Sequence, residues 1–135
     1  MSLDPAQRCP CQSGEVYGQC CGPLHAGARH AATAVALMRS RFSAFAVGDA
    51  DYVSATWDPA TRPARLDLAP DVEWFRLDIT DTTGGGPFDD TGEVAFIAHY
   101  RHGGARGRQT ERSTFRRRNG RWYYLDAVPP GPVGR

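Results

Sequence analysis

All four cysteines of the chain stand near its start, as Cys9-Pro10-Cys11 and, eight residues later, Cys20-Cys21. Two thiolate pairs on either side of a short loop can close a tetrahedron around one Zn²⁺, the usual arrangement of a structural zinc site. Two disulfides within so short a segment are the competing chemistry, but nothing at the start of the chain reads as an export signal, and a reducing compartment disfavours them. The loop Gln12-Ser13-Gly14 supplies turn residues whose backbone N–H groups can face the sulfurs. His25, four residues past Cys21, is an alternative ligand to Cys21, which is preferred because it completes the second thiolate pair. His25 and His30 are then exposed polar residues of a loop or helix start. Four protein ligands leave no open coordination position, so a metal held this way is structural rather than catalytic.

The rest of this segment explains why it needs a metal. Val16, Tyr17 and Leu24 are its only sizeable apolar side chains, too few for a core. Metal binding must supply the folding free energy, on the order of 10 to 16 kcal/mol in such modules.

The spacing C-x-C-x₈-C-C, with Tyr17 and Gly22-Pro23-Leu24-His25 around it, resembles the SEC-C motif, a small zinc-binding knuckle found at the ends of many bacterial proteins. One departure is Gln12, where many such segments have Gly. Further on, Leu37-Met38-Arg39-Ser40-Arg41-Phe42-Ser43-Ala44-Phe45, Asp51-Tyr52-Val53, Ala55-Thr56-Trp57, Glu111-Arg112-Ser113 and Gly120-Arg121-Trp122-Tyr123-Tyr124 look like the bacterial YchJ family. The resemblance implies a knuckle over residues 1–30 and a nuclear transport factor 2-like domain over 31–135, an α+β cone in which a bent antiparallel sheet wraps on helices. It implies no particular enzymatic activity.

Over residues 31–47, Val35, Met38, Phe42 and Phe45 recur at helical spacing with Leu37 beside them, and Gly48 is a stop signal. Asp49 is a plausible cap for a second helix with Tyr52, Val53, Thr56 and Trp57 inward, ended by Asp58-Pro59. Residues 59–70 form a connection. From Val72 the period becomes two, with Phe75, Leu77 and Ile79 on one face. Residues 81–92, with Gly84-Gly85-Gly86-Pro87, read as a long mobile hairpin loop. Val94, Phe96, Ala98 and Tyr100 mark the next strand, and His102-Gly103-Gly104-Ala105 turns the chain. A strand over 108–117, the turn Asn119-Gly120 and a strand over 122–128 complete a meander. Helices followed by antiparallel strands give an α+β order.

A bent sheet over a helix leaves a pocket at its open end. The residues expected to face it are Arg39, Arg41, Trp57, Trp74, Glu111, Arg112, Tyr124 and Asp126, with His99 as a further polar candidate. Asp126 and Tyr124, two apart on one strand, could do acid–base chemistry with Glu111 across from them. The plainer reading is an ion pair of Glu111 with Arg39 or Arg41. His99 is expected on the face opposite Phe96 and Tyr100, as a structural residue.

Composition bounds the function. The 135 residues, 41% hydrophobic and 23% charged, suit one domain with a small appendage. Sixteen basic residues, all Arg, against fifteen acidic ones leave +1, a balance that argues against a general nucleic-acid binder. The run Arg116-Arg117-Arg118-Asn119-Gly120-Arg121 therefore reads as a solvated hairpin tip rather than an RNA contact. No apolar run is long enough to span a membrane. The expectation is a cytoplasmic protein with one structural Zn²⁺, a knuckle that docks a protein partner and a cone that takes a small ligand. Binding is favoured over catalysis, and an acid–base enzyme or a nucleic-acid binder through Arg116–Arg121 and the knuckle are the rivals.

Overall fold

The computed structural model describes residues 4–68 and 71–128. Helices α1 (Cys21–His25), α2 (Ala34–Val47) and α3 (Ala50–Ala55) precede strands β1 (Val72–Gly84), β2 (Thr91–His102), β3 (Ala105–Arg118) and β4 (Arg121–Ala127). The strands form one antiparallel meander in the order β1-β2-β3-β4. Among the described residues no helix is long and apolar enough to cross a membrane.

Local chemistry sets the helix boundaries. Thr33 accepts the Ala36 N–H at 3.1 Å to cap α2, and Gly48 ends it at φ 77° in the left-handed region. Asp49 caps α3 by accepting the Tyr52 N–H at 3.0 Å. One core joins Leu37, Met38 and Phe42 of α2 to Leu77, Val94, Phe96, Ala98, Phe115 and Trp122 of the sheet. The apolar spacing alone understates how deeply α2 is embedded. Ser40, Arg41, Ser43 and Ala44 are buried as well, because α3 and the N-terminal segment cover the sides that the sheet does not.

Two expectations about the sheet are corrected. The long loop over 81–92 is mostly strand: Asp81 to Gly84 pair with Ala95 to Gly92, so only six residues connect β1 to β2. Phe75 does not share the core face with Leu77 and Ile79. A bulge between Trp74 and Arg76 turns Trp74 toward the core and leaves Phe75 against His99 and under the Arg101 guanidinium on the other face.

Gly85 fixes this hairpin to the helix. Its φ is 77°, and a Cβ there would lie 2.7 Å from Ala34 Cβ, while its carbonyl accepts the Ala34 N–H at 3.0 Å. Gly85→Ala is expected to lower stability by about 2 kcal/mol, from left-handed strain and overpacking together. A urea midpoint unchanged from the native protein would show that the helix start does not rest on this contact.

Candidate metal centre and cone pocket

The N-terminal segment is built around its sulfurs. A short bridge between Arg8 and Val16, with the Cys9 N–H donated to Glu15 O at 2.9 Å and Tyr17 N–H to Gln7 O at 2.7 Å, folds the first cysteine pair over the second. Cys20 precedes α1 and Cys21 opens it. All four Sγ atoms lie within 4.8 Å of one another. Cys11 and Cys20 sulfurs are 3.6 Å apart and those of Cys20 and Cys21 3.9 Å. A tetrahedron with metal–sulfur bonds of about 2.3 Å has edges of about 3.8 Å, so the donor set fits one metal ion, and these are not disulfide distances. Cys9, Cys11 and Cys21 are buried, while Cys20 is partly open.

The thiols also divide electrostatically. Hydrogen bonds from Cys11 and Cys21, with Ser43 Oγ 3.4 Å away, hold the Cys9 thiol far below its usual range. Burial pushes Cys20 up to about 11 despite Ser13 Oγ at 3.1 Å, and the hydrogen bonds to Cys11 and Cys9 push Cys21 up. Four sulfurs in contact cannot all ionise without a cation among them.

Three contacts seat this segment on α2. Arg39 donates to Cys11 O at 2.7 Å, Cys9 Sγ meets Ser43, and His25 Nε2 donates to Ser40 O at 2.8 Å. His25 Nδ1 lies 2.6 Å from the Tyr17 hydroxyl, and its ring packs against that of Tyr52, tilted by 55° with centres 4.6 Å apart. Both ring nitrogens of His25 are thus engaged away from the sulfurs, and it is not the exposed polar residue expected but a partly buried strut between the two parts of the chain. Gln12, at φ 70° in the region that favours glycine, sends its amide to Phe75 O at 3.2 Å, a tether a glycine would lack.

A cavity of about 310 Å³ opens between α2 and the sheet. Of the residues expected there, Arg41, Trp57, Trp74, Glu111 and Tyr124 line it; Met38, Phe42, Phe45 and Phe96 supply apolar wall, and Gln109 and Ser113 share the strand face of Glu111. Arg39, Arg112, Asp126 and His99 lie elsewhere, each for a physical reason. Arg39 is on the side of α2 that faces the cysteines. Arg112 alternates to the outer face of β3 and pairs there with Glu93 and, at 2.9 Å, with Asp81. A register shift on β4, with Thr114 opposite Asp126 and Phe115 opposite Tyr124, puts Asp126 and Tyr124 on opposite faces, which removes the proposed acid–base pair. His99, on the outer face as expected, meets Asp78 at 2.9 Å.

Arg41 is 3% exposed. Its Nη1 donates to Val53 O at 2.8 Å and Thr56 Oγ1 at 2.7 Å, and its guanidinium lies 4.5 Å from the Tyr124 ring centre and 5.3 Å from that of Trp57. Burial lowers its pKa to about 10, which leaves it charged at neutral pH. Glu111 accepts from Gln109 Nε2 at 2.8 Å and Ser113 Oγ at 2.7 Å, and it forms no ion pair with Arg39 or Arg41. Burial, then the Glu111 charge, raises the Tyr124 hydroxyl.

Asp58 was missed as anything but a helix stop. Its side chain is fully buried, and Oδ2 takes Arg116 at 3.1 Å and Arg118 at 3.2 Å, while Oδ1 accepts the Ala60 N–H at 2.8 Å. That last bond is an Asx turn, the one local signal that Asp58-Pro59-Ala60 carried. Arg117 reaches Pro87 O and Asp90. The basic run is therefore largely engaged with the protein itself rather than a free hairpin tip.

Residues 33–127 match the family model described as the middle NTF2-like domain of YchJ, and residues 6–23 match the SEC-C motif. A UPF0225 protein of Corynebacterium efficiens is 59% identical over 124 residues, covering 92% of this chain and 95% of its own. One from Streptomyces coelicolor is 51% identical over 122 residues, with 90% and 95% covered. The solution structure of a SEC-C motif containing protein from Rhodopseudomonas palustris superposes with a TM-score of 0.80 at 38% identity, covering 91% of this chain and 98% of that one. The crystal structure of a SEC-C motif containing protein from Psychrobacter arcticus gives 0.78 at 29%, with 98% and 88% covered.

Proposed function

The chain belongs to the UPF0225 family, a SEC-C motif joined to a YchJ-type NTF2-like domain, and on that basis we propose that it is a cytoplasmic zinc-binding interaction protein. One Zn²⁺ on Cys9, Cys11, Cys20 and Cys21 holds the knuckle, whose exposed loop from Gln12 to Val16 presents a face to a protein partner. The cone behind α2 takes a small ligand. The observation that carries this reading is the sulfur cluster, whose 3.6 and 3.9 Å edges match a zinc tetrathiolate and whose all-sulfur donors suit a soft or borderline ion rather than Mg²⁺ or Ca²⁺. Its four ligands make the metal a scaffold. The engagement of Arg116 and Arg118 with Asp58 weighs against the nucleic-acid alternative.

Elemental analysis of protein purified without added metal tests it, with thiols titrated before and after chelation. The expected result is one zinc per chain and four thiols that react only after chelation. Absence of metal would overturn the reading, as would retention that depends on His25 with one cysteine already reactive.

A further inference from the structure

The cone cavity contains two opposite charges that do not meet. Arg41 lines it as a buried guanidinium with no carboxylate within 4 Å among the described residues, and its Nε and Nη2 have no acceptor there. The cation–π contacts with Tyr124 and Trp57 offset part of that isolation but leave the charge uncancelled. Glu111, in the same wall, is held by one neutral donor on each oxygen, and each oxygen retains a lone pair for another donor. In that wall too, the Trp57 indole N–H is buried without an acceptor. Apart from Gln109, Ser113 and the Tyr124 hydroxyl, the remaining wall is aromatic and aliphatic.

A ligand carrying only a negative charge would gain from Arg41 and lose against Glu111, and a cation would do the reverse. A ligand carrying both gains twice. We propose that the cavity binds a small zwitterion of the α-amino-acid class with an apolar side chain, its carboxylate on Arg41, its ammonium on Glu111, and its side chain among Phe42, Phe45, Trp74 and Phe96. The volume of about 310 Å³ lies at the lower end of small-molecule sites, a size for one such residue rather than a peptide or a nucleotide. This rests on the reading of the cone as a ligand site and adds the ligand's chemistry to it.

Calorimetric titration of the full metal-loaded chain separates the two, with the indole ¹H–¹⁵N resonances of Trp57 and Trp74 as locators. The probes are phenylalanine, leucine, 3-phenylpropionate, phenethylamine and uncharged 3-phenylpropanol. At least one amino acid is expected to move both indoles and bind at least tenfold more tightly than each singly charged probe. Glu111→Gln, which keeps the strand and its neighbours, should weaken that amino acid at least tenfold and bring 3-phenylpropionate level with it or ahead. If 3-phenylpropanol binds as well as phenylalanine and Glu111→Gln changes nothing, the cone is a ligand site and the zwitterion assignment is wrong. If no probe gives heat or an indole shift, both are wrong.

Discussion

With the proposed Zn²⁺ bound, its chelation, or the single substitution Cys11→Ser, is expected to unfold residues 4–30 as a unit while the sheet stays folded. The core of that segment is Cys9, Cys11 and Cys21, with Tyr17 and Cys20 packed on them, so the proposed ligands are the core. Without a cation the four thiols bury little apolar surface and lack the counter-charge that lets them ionise together, and about 10 to 16 kcal/mol of local folding free energy would go with the metal. The body keeps its own cluster, from Ala31 to Trp122, which contains no cysteine. Amide spectra should therefore lose dispersion for residues 4–30 and retain it for β1 to β4, with a lower melting temperature because Ser40 and Ser43 lose their cover. Undiminished amide protection in the chelated knuckle would show that packing, not metal, holds it.

The second large effect is expected at Asp58. Asp58→Ala removes a fully buried carboxylate from two arginines and from the Ala60 N–H. Removal of one partner from a buried pair costs about 3 to 5 kcal/mol. Arg116 and Arg118 are 37% and 45% exposed and can turn to water, so about 3 kcal/mol is expected. Asp58→Asn keeps an acceptor for Ala60 and should lose less. Burial pushes the Asp58 carboxyl up, but the Ala60 N–H and the two guanidiniums more than offset that and hold it below the usual carboxylate range. A depressed pKa contributes stability that is complete above the unfolded value of about 3.9 and disappears as pH falls through the lower folded value. The gap between native protein and Asp58→Asn in denaturant unfolding should thus be full at pH 7 and shrink below about pH 4. A gap independent of pH would assign the effect to shape rather than charge.

What could be read from the sequence is what obeys local rules. The Cys9-to-Cys21 spacing, the apolar period of Val35 to Phe45, the caps at Gly48 and Asp49, and the Asn119-Gly120 turn each follow from a few neighbouring residues, and the structure has these elements at those places. Alternation failed where a strand gains a residue. The irregularities beside Phe75 and Leu125 reverse which side chains face the core, and no residue type announces them, so Phe75 and Asp126 were expected on the wrong face. Arg39 and Arg41 are two apart on one helix and were expected in one cavity, yet they point to different neighbours because the knuckle occupies the side that a helix on a sheet would leave open. The Asp58 cluster joins residues 58 positions apart, beyond any local pattern. The glycines at 84 to 86 suggested a loose loop, but Gly85 serves close packing against Ala34.

The burial of α2 on nearly all sides bears on the order of assembly during synthesis. The knuckle closes through contacts among residues 4–25 and, on the metal-bound reading proposed above, can form as soon as those residues leave the ribosome, provided metal is at hand. Helix α2 emerges next with one platform ready, at Ser40 and Ser43, and no sheet partner for Met38 and Phe42 until β1, with Trp74 against Phe42, follows about thirty residues later. A nascent chain starved of metal would thus carry an apolar helix with no surface to dock on, and it should be most prone to misassociation at that length.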